Sequence, residues 1–217
     1  MAIKIFCDFD GTITEGDNIV TLIKQFASPS AKVLTTDVLS GKISIREGVE
    51  KMFSTIPSNT KDDMTNFVLN NTTIRDGFKE FIEFVNESKL ELKVVSGGLD
   101  FFVHPILSEY LPSSSVLCNR TDFTGENVKI YWDHSCDLHC SNDCGMCKSS
   151  VMRKYSESTD LIVVIGDSIT DLQIAKEANL IFARDFLKEK CKELNLPYIP
   201  FSNFYDIQAA LSKEVLV

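Results

Sequence analysis

These 217 residues contain no apolar run that approaches the roughly 20 residues a helix needs to cross a bilayer. Basic charge is also scarce. Lys and Arg total 22 against 31 Asp and Glu, a formal charge of −9, which argues against broad contact with nucleic acid or an anionic membrane surface. It does not exclude a small phosphorylated metabolite as substrate, because a metal ion and a few local donors can reverse the field inside one pocket. No internal repeat and no low-complexity tract interrupts the chain. The opening residues 1–7 are apolar but too short for a secretory leader. They run directly into acidic residues and read as a first strand. Without a leader, seven cysteines suggest a reducing, cytoplasmic setting, and their odd number argues against a pure disulfide framework.

The apolar content, 44%, and the length suit one α/β core with a small accessory domain. Apolar runs at 3–8, 92–96, 116–118, 161–165 and 180–183 read as strands buried on both faces, which favours a mostly parallel sheet. Phe78, Phe81, Ile82 and Val85 fall at i, i+3, i+4 and i+7 and predict a helix with one apolar stripe packed on the core. Further helices are expected over 169–178 and 186–194. Residues 15–73 lack a convincing strand. They read as four short helices near 17–27, 30–39, 44–55 and 60–70, punctuated by Pro29, Gly41, Pro57 and Ser58. Such an insert between the first two strands reads as a cap over the sheet's C-terminal edge. The expected division is a core of 1–14 and 74–217 with a helical cap of 15–73.

The chemistry is concentrated at strand ends, where open α/β sheets bind ligands. Asp8-Phe9-Asp10-Gly11-Thr12 follows the first strand. One carboxylate there can attack phosphorus, and a second can protonate the leaving oxygen and later deprotonate water. Gly11 permits the turn and brings backbone N–H groups close to an anion. On their own, two aspartates at this spacing are as compatible with an ordinary acidic turn. Three further signals converge with them. Ser96-Gly97-Gly98 ends the second strand and offers a hydroxyl and N–H groups to an anion. Gly166-Asp167 ends a later strand, placing Asp167 as an oxygen ligand for a hard cation beside Asp8, with Asp171 to orient those ligands or a lysine. Lys148 can neutralise nucleophile and phosphate. Each supplies a different part of phosphoryl transfer.

Together these motifs resemble the haloacid dehalogenase superfamily of phosphatases, whose four motifs are matched by Asp8 to Thr12, Ser96, Lys148, and Gly166-Asp167 with Asp171. The resemblance implies a Rossmann-like α/β fold and a Mg²⁺-dependent phosphomonoester hydrolase working through an aspartyl-phosphate. It implies Asp8, Asp10 and Lys148 as catalytic residues. Asp8, Asp167 and the backbone carbonyl of Asp10 would hold Mg²⁺, and Thr12, Ser96, Gly97 and Lys148 would contact phosphate. Ser-Gly-Gly and the cap position are similar to the phosphoserine phosphatase branch, which implies a substrate-binding role for Asp17. A closer resemblance, to one phosphatase within the superfamily, runs over essentially the whole chain. It is carried by Asp17-Asn18-Ile19, residues 44–49, residues 96–102, His134-Ser135-Cys136, residues 144–148 and residues 182–185. Met52, Phe53, Phe101 and Phe102 could line an apolar patch for an organic tail, although each alone suits core packing.

Cys136, Cys140, Cys144 and Cys147 lie at spacings of x3, x3 and x2, compatible with tetrahedral zinc. A reduced loop without metal and an adventitious disulfide are the rival readings. In each, the cluster ends at Lys148 and its task is to position that lysine. Two alternatives to the main reading stay open: a phosphatase for another small ester such as phosphoserine, and a cysteine-rich metal-binding or interaction module on an idle scaffold.

Overall fold

The computed structural model describes residues 2–214. Its centre is a sheet of seven strands: β1 (Ile3–Cys7), β2 (Glu91–Leu99), β3 (Val116–Asp122), β4 (Lys129–Tyr131), β5 (Leu161–Gly166), β6 (Leu180–Ala183) and β7 (Ile199–Pro200), in the order β4-β3-β2-β1-β5-β6-β7. All neighbours are parallel except β3 and β4, which form an antiparallel pair at one edge. Strand alternation explains why the central runs are apolar throughout. Ile5, Cys7, Val163 and Ile165 point into one core cluster, whereas Phe6, Ile162 and Val164 point into the other.

Helices cover both faces. On the first lie α5 (Phe78–Glu87) and α10 (Phe204–Glu214). The predicted stripe of α5 is buried there, with Phe81 and Phe204 ring centroids 5.2 Å apart. Burying each such ring stabilises the fold by about 1.5–3 kcal/mol. On the second face lie α7 (Lys148–Tyr155), α8 (Leu172–Glu177) and α9 (Asp185–Glu193). Cys7, Cys118 and Cys191 are buried in these clusters as small apolar groups.

Between β1 and β2 the chain forms α1 (Asn18–Phe26), α2 (Ala31–Leu39), α3 (Ile45–Phe53) and α4 (Lys61–Asn71), each within one or two residues of its expected position. The segment leaves and re-enters at one place: Thr14 and Ile74 form an antiparallel bridge, and Glu15 N–H donates to Thr73 C=O at 3.0 Å. It touches the core elsewhere too. Pro57 bridges Asn127, and Ser58 N–H donates to Glu126 C=O at 2.9 Å.

Four elements were not anticipated. The edge strands β4 and β7 have three and two residues and carry no periodicity. Helix α6 (Asp100–Leu107) contains Pro105, which reads as a breaker, and α10 follows a loop without an apolar stripe clear enough to announce it. The helix expected over 169–178 opens instead as a 3₁₀ turn, Ile169–Asp171, because Asp171 turns back to accept from Ser168 N–H at 3.0 Å. Met52, Phe53, Phe101 and Phe102 are core residues, so their apolar surface is spent on packing rather than on a patch open to ligand. Among the described residues, no helix is long and apolar enough to cross a membrane.

Candidate active site

The C-terminal ends of β1, β2 and β5 converge, since β1 lies between the other two. Asp8 directly follows β1 and is held by its N–H donating to Ile165 C=O at 2.9 Å. Its carboxylate is buried and meets Lys148 Nζ at 2.6 Å, and the same ammonium meets Asp171 at 2.5 Å. Lys148 is the first residue of α7, so a helix start delivers its ammonium between two carboxylates. Burial pulls the Lys148 pKa down, but Asp171 and Asp8 outweigh it and hold the ammonium above its ordinary range. Burial, with the Asp171 charge, pushes Asp8 well above the usual carboxylate range, Lys148 opposing.

Asp167 follows β5. Its carboxylate accepts from the Thr12 hydroxyl at 2.7 Å, so that hydroxyl is engaged with Asp167. Burial and Asp171 raise Asp167 to about 6. Asp171 Oδ2 accepts from the N–H groups of Asp167 and Ser168 at 3.2 and 3.0 Å, which pins the turn after β5. The carboxylates of Asp8, Asp167 and Asp171 offer oxygens within 4.8 Å of one another. With one ammonium among three carboxylates, the group carries an excess of negative charge and only hard oxygen donors. That is the donor set a Mg²⁺ ion takes.

Asp10 is fixed by the start of α1. Its Oδ1 accepts from Asn18 N–H at 2.9 Å and from Asn18 Nδ2 at 2.8 Å, and Asn18 Oδ1 accepts from Thr72 at 2.8 Å. Burial, then the charge of Asp17, raises Asp10 to about 7, against the two Asn18 bonds. A carboxyl that titrates near neutrality suits acid and base work in turn. Asp17 is the N-cap of α1, accepting from Val20 N–H at 2.8 Å.

Ser96 is fully buried and accepts from Gly98 N–H at 2.9 Å, while Gly97 is exposed and its C=O accepts from Asn119 Nδ2 at 2.9 Å. Gly98 of β2 lies in a tight place. A Cβ there would lie 2.8 Å from Val103 Cγ2, 2.9 Å from Ser96 Oγ and 3.0 Å from Asp10 Oδ2. Gly11 has φ +81°, and a Cβ on it would strike the Asp167 carboxylate.

Arg75 was not anticipated, because no motif surrounds it. The side chain is buried and donates to three carbonyl oxygens of the turn after β1: Thr12 at 2.8 Å, Gly11 at 2.9 Å and Thr14 at 3.2 Å. Asn18 carries no sequence signal of its own beyond the Asp17-Asn18-Ile19 segment, although it holds Asp10.

A buried carboxyl beside an ammonium, a second carboxyl raised to about 7 and a hard-cation donor set, all at the ends of parallel strands, are the arrangement of a phosphatase. The chain belongs to the haloacid dehalogenase-like hydrolase family, whose model matches residues 5–176. It is 50% identical over 217 residues to the 2-hydroxy-3-keto-5-methylthiopentenyl-1-phosphate phosphatase of Bacillus cytotoxicus, covering 100% of this chain and 99% of the relative. The enzyme of the same name from Bacillus cereus is 51% identical over 211 residues, covering 97% of this chain and 96% of that one. Among solved structures, a phospho-aspartyl intermediate analogue of phosphoserine phosphatase is similar in fold. It has a TM-score of 0.69 at 21% identity, with 96% of this chain and 98% of that one covered. A phosphoserine phosphohydrolase-like protein from Francisella tularensis has a TM-score of 0.70 at 20% identity, covering 97% and 100% of the two chains.

Proposed function

We propose that this phosphatase hydrolyses 2-hydroxy-3-keto-5-methylthiopentenyl-1-phosphate to phosphate and 1,2-dihydroxy-3-keto-5-methylthiopentene, the acireductone of methionine salvage. The observation that carries this reading is about 50% identity across the full length, cap segment included, to relatives named for that substrate. The Asp8–Lys148 pair supports the chemistry.

In this reading, an Asp8 carboxylate oxygen attacks phosphorus as the ester P–O bond breaks, and Asp10 gives its proton to the departing enol oxygen. Asp10, now a carboxylate, then takes a proton from water. The water oxygen bonds to phosphorus, the Asp8 acyl-phosphate bond breaks and phosphate leaves. Lys148 balances the charge on Asp8 and on the phosphate. Ser96 and the Gly97 N–H would orient the phosphate oxygens, as would Thr12 and Gly11 once the Thr12 hydroxyl leaves Asp167 and the Gly11 N–H leaves the Gly16 C=O, and Asp171 holds Lys148 and the turn of Asp167. Asp8, Asp167 and the Asp10 carbonyl would hold Mg²⁺, which when bound neutralises charge on the phosphate. Residues 15–73 act as a cap on a core of 1–14 and 74–217, the Thr14–Ile74 bridge marking the boundary. Asp17, beyond its capping bond, would face the substrate's oxygens. A reducing, cytoplasmic setting belongs to the same proposal and is supported by seven free cysteines.

The test is kcat/KM on the salvage phosphate beside phosphoserine and an aryl phosphate, for wild type and Asp8→Asn. The salvage phosphate should be preferred, and Asp8→Asn should fold normally but not turn over, since an amide does not attack phosphorus. A preference for phosphoserine overturns the substrate assignment. Wild-type rates in Asp8→Asn overturn the nucleophile.

A further inference from the structure

The stretch from Trp132 to Cys147 forms neither helix nor strand. A segment of this length with no secondary structure is uncommon in a compact domain unless something else ties it down. It contains Cys136, Cys140, Cys144 and Cys147, whose Sγ atoms all lie within 4.8 Å of one another. Core filling does not explain the convergence. Cys7, Cys118 and Cys191 belong to the two hydrophobic clusters, whereas these four belong to neither, and three of them are half-exposed. Pairing does not explain it either, because a disulfide brings two sulfurs together and not four.

A metal does explain it. Four thiolates at about 2.3 Å from a tetrahedral zinc stand ~3.8 Å from one another. Cys140 Sγ and Cys144 Sγ are 3.9 Å apart. The Cys144 N–H points at Cys136 Sγ at 3.5 Å, the kind of donor that stabilises a thiolate. Gly145, at φ +76°, and Asp143, at φ +49°, fold the chain back so that the last two sulfurs reach the first two. A closed set of four sulfurs leaves no position for substrate and is structural rather than catalytic.

We propose that Cys136, Cys140, Cys144 and Cys147 bind one zinc ion as four thiolates, and that this knuckle docks the cap helix α3 onto the catalytic core. The second half rests on Asp143, which lies between two ligands. Its carboxylate accepts from Ser44 Oγ at 2.7 Å and from Arg46 Nη1 at 3.2 Å, and Ser44 is the N-cap of α3. Beside it Gly145 packs on the Trp132 ring so closely that a Cβ would lie 2.7 Å from a ring carbon. On the core side Arg153 of α7 ties the loop down through Asp137 at 2.8 Å. The fourth ligand, Cys147, is the N-cap residue of α7 and immediately precedes Lys148. One ion thus fixes a strut between the start of α3 and the start of α7.

The experiment uses the full chain, expressed with zinc and purified in reductant without chelator. Elemental analysis should find about one zinc per chain, and Co²⁺ exchanged into the site should show the intense ligand-field bands of a tetrahedral thiolate complex. Cys140→Ser and Cys144→Ser should lose the metal. Should they fail to fold, the Co²⁺ spectrum of the wild type decides alone. Hydrogen exchange reads the docking. Stripping zinc with a mercurial, with Mg²⁺ present throughout, should speed exchange across 132–147 and the first turn of α3. Asp143→Ala should keep its zinc yet speed exchange at α3 only. No zinc in a protein with four titratable thiols here overturns the site, as does a disulfide or bound iron. Unchanged α3 exchange on zinc removal overturns the docking.

Discussion

Replacing Arg75 by Met should cost both stability and rate. Three carbonyl oxygens of the turn that follows Asp8 and Asp10 accept from this one guanidinium, which is 6% exposed. A buried carbonyl stripped of its donor costs about 1–3 kcal/mol. Two opposing effects reduce the sum: Met escapes the desolvation of a buried cation, and water can reach the partly exposed Gly11 carbonyl. A net loss of about 3 kcal/mol remains. In a chain of this size, each kcal/mol moves Tm by about 2–4 °C, so the fall should be on the order of 10 °C. The turn should also relax, and a displacement near 1 Å at the reacting groups costs on the order of a hundredfold in kcat/KM. Arg75→Lys should recover only part of either loss, because a point-like ammonium does not reproduce the planar fork that reaches three acceptors. Calorimetry and steady-state kinetics on the two variants form the assay. Arg75→Met with wild-type Tm and wild-type kcat/KM would refute the reasoning.

Asp10→Asn should slow both formation and breakdown of the phosphoenzyme in rapid-quench measurements; full rescue by excess Mg²⁺ would show that Asp10 serves only the metal. Gly98→Ala should lower kcat by tenfold or more, because its Cβ would press on Ser96 and Asp10 at 2.9–3.0 Å, while Gly97→Ala meets open space and should keep its stability. Equal behaviour of the two in melting and kinetics would contradict the packing argument. In metal-free protein, burial raises Asp10 to about 7 and Asp167 to about 6 from the ordinary 3.8, and raises Asp8 as well. A raised carboxyl contributes stability that is complete below its unfolded pKa and lost as pH rises through the folded one. Metal-free protein should therefore lose stability between about pH 4 and 7, and Mg²⁺ should raise Tm more at pH 8 than at pH 5. A Mg²⁺ effect independent of pH would count against the carboxylate site.

The central strands, and the acidic residues that follow them, were legible because their signals are local. A strand buried on both faces must be apolar throughout, as Ile162 to Ile165 are, and a carboxylate that follows it has few structural uses. The four helices between β1 and β2 were legible from punctuation: Ser44 caps α3 as an N-cap serine should. What escaped depends on contacts far along the chain. Arg75 reads as a surface cation until the turn of residues 11–14 folds against it. Gly98 looks like any turn glycine until Asp10 arrives beside it. Strand β7 pairs through only Phe182–Ile199 and Ala183–Pro200, too short a match to leave a period. Spacing alone left zinc, packed thiols and a disulfide open for the cysteines, since convergence of four sulfurs is a property of the folded loop.

The central place of β1 in the sheet has a consequence during synthesis. Ile3 pairs with Leu161 and Lys4 with Glu91, so β1 waits for partners roughly 160 and 90 residues downstream. At roughly 5–20 residues per second, the strand exists for about 10–30 s before β5 has been made. Until β2 is made Ile3-Lys4-Ile5-Phe6-Cys7 is a short, sticky β-former with both edges bare, and until β5 is made one edge stays open. Asp8 and Asp10 stand immediately behind it. Two charges in that position are of the kind that, flanking an apolar strand, discourage neighbouring chains from stacking onto it. Substituting them with apolar residues would therefore harm the yield of folded protein as well as its chemistry.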